Sequence, residues 1–478
     1  MNMNDTKLYQ YQREAVDWMR YREEDPKIRG GVLADEVGLG KTLMSIRTII
    51  ENPKSNTLIL VPKSLLNQWA GEMKKFTENG EVNFYTFAGK TMPSRGNTIC
   101  LASHSVINSR MYKTPEDCPL YSLNWDRVII DEAHVIKNVK SVMHKRMLKL
   151  TCDIKWALTA TPLMNKMSDF CNILNWIGVS KDISQAYTNS VSSTYVKRRT
   201  KEDINMPLPP LNVDVCRIPF DSDAEFQVYK EAYGLARSSI READGSQDGM
   251  AAALVALIRM RQVSVHPQVY YNSVPDEDGR ITQYSGECTK MTKLVEKLQQ
   301  HPDDKALIFC EFTKEIHLIK DTLIKTSIDC LVLNGEMTLK ERSDTVHSFN
   351  TDSTKKVLVI QRSIGAVGYN FQVANHVYIM SPTWNPSLQQ QIIGRAHRTG
   401  QTKPVTATLF AIGENNDEHP YIEEWMLSIQ QTKRTLIAKV LNDDRIKNQE
   451  IGASYMLTNK IATSLSFHDI KKIFNKKM

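Results

Sequence analysis

DEVGLGKT, residues Asp35–Thr42, is the stretch of this 478-residue chain that decides its fold. It follows a short apolar run, Gly31–Ala34, and precedes a helical pattern, so a glycine-containing turn joins a strand to a helix. Such a turn, ending in Lys41 and Thr42, is typical of a phosphate-binding loop. The strict pattern has glycine where this chain has Asp35, and similar turns occur without a ligand. The stretch therefore predicts half of a nucleotide site.

Two adjacent acids end a strand-like run in the same half of the chain. WDRVIIDEAH, Trp125–His134, has the pattern of a buried strand that closes on Asp131 and Glu132. Carboxylates at the C-terminal edge of a strand are what Mg²⁺ binding beside phosphates requires. The alternative is a solvated strand end.

Two arginines in the second half of the chain are candidates to complete the site. QIIGRAHRTGQ, Gln391–Gln401, sets Arg395 and Arg398 three residues apart on a predicted helix. That spacing presents two guanidinium groups on one helix face, which we predict completes a nucleotide site across a cleft. The alternative is a pair of exposed helix charges.

Short apolar runs alternate with helical patterns over most of the chain. The alternation predicts βαβ units, and hence an α/β fold with two lobes, each a mostly parallel sheet flanked by helices. Between the lobes, Met206–Asn212 cannot form a helix because it contains three prolines. Helical patterns follow at Ala224–Ala236 and Ala251–Val265, in a region that we interpret as a linker.

The end of the chain has no strand signal and finishes in the basic run KKIFNKKM. We interpret it as a solvated tail, with a brace that touches DNA as the alternative. The predicted domains are an N-terminal nucleotide-binding lobe at residues 1–205, a helical linker or protrusion at 206–286, a C-terminal lobe at 287–440 and a basic tail or brace at 441–478.

Composition narrows the class of protein. The net charge of +7 is mild, but its sign favours an anionic partner such as nucleic acid. The eight cysteines never approach CxxC or CxH spacing, which predicts no zinc module, no disulfide framework and a reducing compartment. No apolar run reaches the roughly 18 residues that span a bilayer, so we expect a soluble, intracellular protein without signal peptide or membrane contact.

These segments and their order resemble superfamily 2 helicase-like ATPases, specifically the Swi/Snf-type double-stranded DNA translocases, in the stand-alone form found in large DNA viruses. The resemblance runs from Leu8 to Gln401, and in that family the phosphate loop carries aspartate where this chain has Asp35. Further matching segments are YQREAVDWM at Tyr11–Met19, LILVPKSLLNQW at Leu58–Trp69, LTATP at Leu158–Pro162, YVKRRTKEDI at Tyr195–Ile204, LIRMRQVSVHP at Leu257–Pro267, LNGEMTLKER at Leu333–Arg342 and TWNPSLQQQ at Thr383–Gln391.

The resemblance implies two RecA-like lobes, with ATP and Mg²⁺ as cofactors. Lys41 is expected to neutralise the β- and γ-phosphates, and the loop amides to donate to the same oxygens. We expect Thr42 and Asp131 to hold Mg²⁺, and Glu132 to orient or deprotonate the attacking water. The full set of predicted ATP-binding residues is Gln12, Asp35, Gly38, Leu39, Gly40, Lys41 and Thr42.

Three further roles follow from the resemblance. Gln12 is expected to contact the adenine edge through its amide, with a helix-surface glutamine as the alternative. Arg395 and Arg398 are expected to act as arginine fingers supplied by the same chain when the lobes close. We expect coupling of nucleotide state to DNA contacts to rest on Thr159, Thr161 and Gln391, with local turn capping as the alternative for the two threonines.

DNA contacts are expected from loops at the lobe surfaces, mostly through small polar groups that suit phosphate oxygens and carry no base code. Trp384 is expected either to wedge against a sugar or base or to anchor the core. Ala366 and Tyr369 stand where the family commonly has glycine and leucine. The predicted DNA-binding residues are Lys63, Ser64, Ser103, His104, Asn334, Gly335, Ser363, Gly368 and Trp384.

The favoured function is a DNA-stimulated ATPase that moves along double-stranded DNA and remodels or displaces bound proteins, nucleosomes among the candidates. A strand-separating DNA or RNA helicase and a catalytically silent DNA-binding scaffold are the alternatives. The nucleus, of a host cell if the chain is viral, is the expected location, with the cytoplasm as the alternative.

Overall fold

The computed structural model describes residues 8–77, 83–87, 98–109, 111–160, 167–180, 194–244, 246–365, 368–414, 421–441, 470–471 and 473–474. The chain forms two compact units: the first, which we call the N-terminal lobe, ends at Pro207, and the C-terminal lobe begins at Leu208. In its described residues each lobe is built on one parallel sheet with helices packed against it. The predicted α/β fold with two lobes is therefore confirmed.

The described sheet of the N-terminal lobe has seven strands in the order β3-β4-β2-β5-β6-β1-β7, all parallel. Its strands are β1 Gly30–Leu33, β2 Asn56–Val61, β3 Phe84–Thr86, β4 Thr98–Ser103, β5 Trp125–Asp131, β6 Cys152–Leu158 and β7 Val196–Lys197. Its helices are α1 Gln10–Glu23, α2 Lys41–Glu51, α3 Leu66–Thr77, α4 His104–Ile107, α5 Val142–Leu148 and α6 Met167–Ile177, with 3₁₀ turns at Lys63–Leu65, Pro115–Asp117, Pro119–Tyr121 and Ala133–Ile136.

The central strands of this sheet are apolar because helices cover both of their faces. A buried ion pair crosses the core as well: Arg127 on β5 donates through Nε to Glu23 Oε1 at 2.7 Å, and both side chains are fully buried. Trp156 Nε1 also donates to Glu23 Oε1, at 2.9 Å. These bonds fix the C-terminal end of α1 against strands β5 and β6 of the sheet. The start of the same helix contacts the phosphate loop.

The described sheet of the C-terminal lobe has six strands in the order β10-β11-β9-β12-β13-β8, again all parallel. Its strands are β8 Leu211–Ile218, β9 Ala306–Cys310, β10 Cys330–Leu333, β11 Val357–Gln361, β12 His376–Ile379 and β13 Val405–Ile412. Its helices are α7 Asp223–Glu242, α8 Gln247–Val265, α9 Pro267–Tyr271, α10 Thr289–Gln299, α11 Thr313–Lys325, α12 Leu339–Thr351, α13 Arg362–Gly365, α14 Pro386–Ile393 and α15 Ile422–Leu441.

The stretch interpreted as a linker belongs to the C-terminal lobe. The two predicted helices exist and are longer than predicted, as α7 and α8, and they pack in one apolar cluster with the sheet. The sequence analysis missed β8, which pairs with β13 along eight residues. Half of the residues of β8 are exposed and only Ile218 is buried, because β8 is an edge strand that backbone hydrogen bonds hold with little apolar burial.

The C-terminal segment is not a solvated tail where it is described. Ile470, Ile473 and Phe474 are buried in the same apolar cluster as α7. The ring of Phe474 stacks on Tyr233 at 5.2 Å between centroids, and Arg237 Nε donates to the Phe474 carbonyl at 2.9 Å. The sequence analysis did not predict this packing, because the few apolar side chains lie among basic residues and form no extended helical or strand pattern.

In the described part of the chain, no helix has both the length and the apolar character needed to cross a bilayer.

Candidate nucleotide-binding site

The phosphate loop follows β1, a strand with neighbours on both sides in the N-terminal sheet. Gly38 and Gly40 have φ angles of 94° and 88°, which L-residues with side chains rarely adopt. A Cβ at Gly40 would also lie 2.6 Å from Gln12 Nε2. The glycines at these two positions therefore let the chain turn tightly into α2, whose first residue is Lys41.

The ammonium of Lys41 is held inside this turn. Its Nζ donates to the carbonyl oxygens of Asp35 at 2.6 Å and Glu36 at 3.2 Å. Burial lowers the pKa of Lys41, and the carboxylates of Glu132, Asp35, Asp131 and Glu36 oppose that shift. The loop lysine and the acids of the DEAH segment therefore share one electrostatic environment.

Asp131 ends β5 and is 8% exposed. Burial and then the neighbouring Glu132 raise the pKa of Asp131 to about 6. The indole Nε1 of Trp69 donates to Asp131 Oδ2 at 2.8 Å, and the backbone N–H of Glu132 donates to Oδ1 at 2.9 Å. Two adjacent acids in a buried pocket repel one another, which is the electrostatic setting that a divalent cation relieves.

Glu132 has a left-handed backbone, with φ of 50°. This conformation is strained for a residue with a side chain and is typical of functional sites. His134 Nδ1 lies 3.2 Å from Glu132 Oε2, so the imidazole is close to this carboxylate in the turn after β5.

The start of α1 forms the other wall of the pocket. Gln12 is 5% exposed, and its Nε2 donates to the Leu39 carbonyl at 3.2 Å while its Oε1 accepts from the Tyr9 backbone N–H at 3.1 Å. The Tyr11 hydroxyl donates to the same Leu39 carbonyl at 3.2 Å. The rings of Tyr9 and Tyr11 stack at 5.7 Å, and Tyr9 is 56% exposed. Gln12 is thus a buried residue of α1 that packs against the phosphate loop, and its contact with adenine stays a prediction.

Arg199 is a residue of this pocket to which the sequence analysis gave no role. Its guanidinium forms a two-pronged ion pair with Asp35, in which Nε lies 3.2 Å from Oδ1, and it also stacks over the Tyr11 ring at 5.3 Å. The backbone N–H of Glu36 donates to the Arg199 carbonyl at 2.9 Å. Asp35 therefore stands in place of glycine because its fully buried carboxylate ties the loop to the strand β7 segment.

Thr42 lies in the first turn of α2 and is half-buried, next to Lys41. Thr159 follows β6, between the strands that carry the loop and the acids, and is fully buried. Its backbone N–H donates to the Leu33 carbonyl at 3.1 Å. Thr161 lies outside the described residues, so the predicted coupling by the threonine pair stays a prediction.

The prediction that Arg395 and Arg398 share a helix is wrong. Helix α14 contains Gln391 but ends at Ile393, and the next residues form turns. Gly394 favours the helix end, and the Arg395 N–H bonds to the carbonyl three residues back, at 3.1 Å. Arg395 is 8% exposed and Arg398 is half-buried, so the two arginines differ in environment. Their role as arginine fingers stays a prediction.

In the N-terminal lobe the predicted DNA-contacting residues follow two adjacent strands, β2 and β4. Lys63 and Ser64 are exposed in a 3₁₀ turn. Ser103 is buried, and its hydroxyl accepts from the Ser105 N–H at 3.2 Å as the cap of α4. His104 Nε2 lies 3.1 Å from a backbone carbonyl of β2, and burial lowers the pKa of His104 to about 4. Lys63 and Ser64 are the most accessible of the four.

In the C-terminal lobe the corresponding residues also follow adjacent strands, β10 and β11. Asn334 is buried and Gly335 is exposed, and the Gly335 N–H donates to Gln361 Oε1 at 2.8 Å. Ser363 is exposed, and Gly368 has φ of 51°. Their contacts with DNA stay predictions.

Trp384 follows β12 and is packed. Its ring meets Trp425 edge to face at 5.5 Å, and the Arg261 guanidinium lies 5.9 Å from its centroid. Lys433 Nζ donates to the Trp384 carbonyl at 2.7 Å. These contacts favour the anchoring alternative over the wedge.

The geometry of the N-terminal lobe defines a class. A glycine turn that holds a buried lysine at a helix start, beside an acid pair at the end of a parallel strand, is the site of a P-loop nucleoside triphosphatase.

Comparison with known proteins gives the family. The SNF2-related domain matches residues 11–269, and the helicase conserved C-terminal domain matches residues 289–400. The probable global transactivator of Orgyia pseudotsugata multicapsid polyhedrosis virus is 30% identical over 98% of this chain and 94% of that protein. The chain belongs to the SNF2-related family and is a DNA-translocating ATPase of the Swi/Snf type, as its sequence predicts.

Two further similarities concern cellular proteins. The ISWI chromatin-remodeling complex ATPase ISW2 of Saccharomyces cerevisiae is 26% identical over 98% of this chain, which spans 45% of that protein. The solved SWI2/SNF2 ATPase core of Sulfolobus solfataricus in complex with dsDNA is 24% identical, with a TM-score of 0.40 and coverage of 93% of this chain and 95% of that chain. The chain thus spans less than half of ISW2.

Proposed function

We propose that this chain hydrolyses ATP with Mg²⁺ at the phosphate loop and uses the energy to move along double-stranded DNA, without base specificity, and to displace proteins bound there. The observation that carries the catalytic part is the acid pair, buried Asp131 and half-buried Glu132, in electrostatic contact with Lys41. A lysine and two carboxylates in one pocket suit a triphosphate and its cation, because each charge is compensated when both bind.

Each residue of the pocket has a step to perform. Lys41 exchanges its two loop carbonyls for phosphate oxygens, with no change of charge state. Thr42 and Asp131 would hold the cation, which when bound draws negative charge from the phosphate oxygens. Glu132 orients the attacking water and accepts its proton, since its carboxylate is next to Asp131 and is turned by the left-handed backbone.

A second source of positive charge, in addition to Lys41, is assigned to the C-terminal lobe. We assign this role to Arg398, with Arg395 as its partner, because Arg398 is the more accessible of the two. Guanidinium groups that reach the γ-phosphate stabilise charge that develops in the transition state.

DNA contacts are assigned to the exposed members of the predicted set. Lys63 and Ser64 in the N-terminal lobe, and Ser363 in the C-terminal lobe, follow C-terminal ends of strands and offer an ammonium and hydroxyls. Gly335 is also exposed, but its N–H would have to leave Gln361 Oε1 to bind a phosphate. Such groups bind phosphate oxygens and do not distinguish bases. Movement is therefore independent of sequence.

ATP turnover at one stated salt concentration tests this function, with no nucleic acid, single-stranded DNA, duplex DNA and RNA as the four conditions. We expect duplex DNA to stimulate turnover most, and Glu132→Gln to abolish turnover while ATP still binds. Equal rates under all four conditions would overturn the translocase proposal. Separation of a duplex with a single-stranded tail would favour the strand-separating helicase instead.

The displaced protein is a second question, and nucleosomes are the candidate that the similarity to ISW2 supports. The similarity to a viral transactivator supports action in a nucleus. Release of a labelled duplex from a reconstituted nucleosome, compared with release from a bound repressor, distinguishes a histone-directed remodeller from a general remover of DNA-bound proteins.

A further inference from the structure

Two histidines and an aspartate lie close together where strands β9 and β12 of the C-terminal lobe begin. His301 and Asp304 lie between α10 and β9, and His376 is the first residue of β12. One ligand atom from each side chain lies within 4.8 Å of the other two. Within the described ranges, this is the one place where at least three His, Cys, Asp or Glu side chains converge in this way.

We propose that His301, Asp304 and His376 bind a divalent transition metal ion, with Zn²⁺ as the ion that suits two imidazoles and one carboxylate best. Zinc bonds of about 2.0–2.2 Å at a tetrahedral angle separate two ligand atoms by about 3.3 Å. His376 Nε2 and Asp304 Oδ2 are already 3.2 Å apart. These two ligand atoms therefore already have the separation that a shared ion requires, and the ion would replace the hydrogen bond between them.

His301 is the ligand that has to turn. Its ring stacks on His376 at 4.3 Å between centroids and 24° between planes, and it is exposed. An exposed ring rotates at little cost, because no packed neighbour has to move. Water would complete a four-coordinate site.

The surroundings orient the carboxylate as a ligand. Lys403 Nζ donates to Asp304 Oδ1 at 2.8 Å, which leaves Oδ2 for the ion. Hydrogen bonds to a ligating carboxylate are typical of metal sites.

The site lies where the parallel strands of the C-terminal lobe begin, whereas the residues that we assign to DNA in this lobe lie where the strands end. The ion would join the loop before β9 to the start of β12, two neighbouring strands. Its role is therefore structural, and it stabilises the C-terminal lobe without entering the ATPase reaction. The sequence analysis, which searched for cysteine spacing, could not detect it because 72 positions separate His376 from Asp304.

Zinc binding to the full chain tests the proposal. Chelator-treated protein is titrated calorimetrically with Zn²⁺ in excess Mg²⁺, and Co²⁺ is used to report four-coordinate geometry by its visible absorption. We expect one ion per chain that raises the unfolding temperature and leaves ATP turnover unchanged. His301→Ala, which alters an exposed side chain, and His376→Gln should each remove that ion.

His317→Ala is the matched control, since His317 is an exposed histidine on α11 of the same lobe. It should bind zinc as the unaltered protein does. Equal zinc stoichiometry and affinity in His301→Ala and the unaltered protein would overturn the proposal, and so would the absence of zinc binding to the unaltered protein. Because His301→Ala leaves the core intact, a folding defect in His376→Gln does not affect this outcome.

Discussion

The indole N–H of Trp69 donates a hydrogen bond of 2.8 Å to the carboxylate of the buried Asp131. Trp69 lies on α3, which follows β2, whereas Asp131 ends β5. The bond therefore joins two separate segments of the N-terminal lobe. Its direction matters: the donated hydrogen bond opposes the effects of burial and of Glu132 on the pKa of Asp131.

Trp69→Phe should therefore move the acid limb of the ATPase pH profile upward. A hydrogen bond to a charged group contributes roughly 1.5–3 kcal/mol, and one pKa unit corresponds to about 1.4 kcal/mol. We expect the apparent pKa of the limb to rise by about one unit, so that turnover falls severalfold at pH 6.5 and recovers by pH 8.5. Turnover between pH 5.5 and 9 is the measurement, and a limb that does not move would contradict the role of Trp69.

Asp131→Asn should stabilise the N-terminal lobe while it abolishes turnover. The folded-state pKa of Asp131, about 6, exceeds its ordinary value of 3.8. Its stabilising contribution is therefore fully present below pH about 4 and is lost as the pH rises through about 6. Asparagine does not ionise, so in the absence of nucleotide the free energy of unfolding of the variant should be higher at pH 7.5, by on the order of 2 kcal/mol. The variant should therefore unfold at a higher temperature at pH 7.5 and match the unaltered protein near pH 4. Equal unfolding temperatures at both pH values would contradict this account.

Arg199→Lys should weaken ATP binding more than it slows hydrolysis. Lysine cannot reproduce the two-pronged pair with Asp35 or the stacking on Tyr11, so the loop and the Tyr11 ring lose their common support. We expect KM for ATP to rise about tenfold, on the order of 1.4 kcal/mol, with a smaller change in kcat. Arg198→Lys, at the neighbouring position, is the control and should leave KM within about twofold.

Residues of the site could be predicted from the sequence where they lie close together along the chain. The phosphate loop and the acid pair were found because each lies in one short segment whose pattern reflects its chemistry. Arg199 was not, since its partner Asp35 is 164 positions away and only the pairing of β7 with β1 brings them together.

The fold was predictable to a similar extent. Buried central strands are continuous apolar runs, whereas the edge strand β8 has only one buried residue and carries no such signal. The end of α14 at Ile393 depends on hydrogen bonds that the following residues make, such as the one from the Phe371 N–H to the Arg395 carbonyl at 3.0 Å. Local periodicity contains no information about such distant partners.

Buried charge in the C-terminal lobe gives a stability prediction. Lys290 Nζ donates at 2.7 Å to both carboxylate oxygens of Glu423, both side chains are fully buried, and the Ile412 N–H also donates to Glu423 at 2.6 Å. Glu423→Gln leaves a buried ammonium without its counter-charge, so we expect a loss of about 3–5 kcal/mol in the free energy of unfolding. Denaturant titration measures the loss.

The exposed pair Lys293–Glu296, 2.7 Å apart on α10, is the matched control. Glu296→Gln should cost less than about 1 kcal/mol, because water screens an exposed pair. Similar losses in the two variants would show that burial of the Lys290 pair does not determine its contribution.

Arg398→Ala should cost roughly 10³-fold or more in turnover, about 4 kcal/mol of barrier, if its guanidinium stabilises the transition state. Arg395→Ala should differ in kind: because Arg395 is 8% exposed, its loss should lower the unfolding temperature as well as turnover. ATP affinity should change little in Arg398→Ala, since a group that acts only in the transition state does not contribute to ground-state binding. Turnover and KM of both variants, together with their unfolding temperatures, are the measurements, and a loss below about tenfold in Arg398→Ala would rule out the finger role.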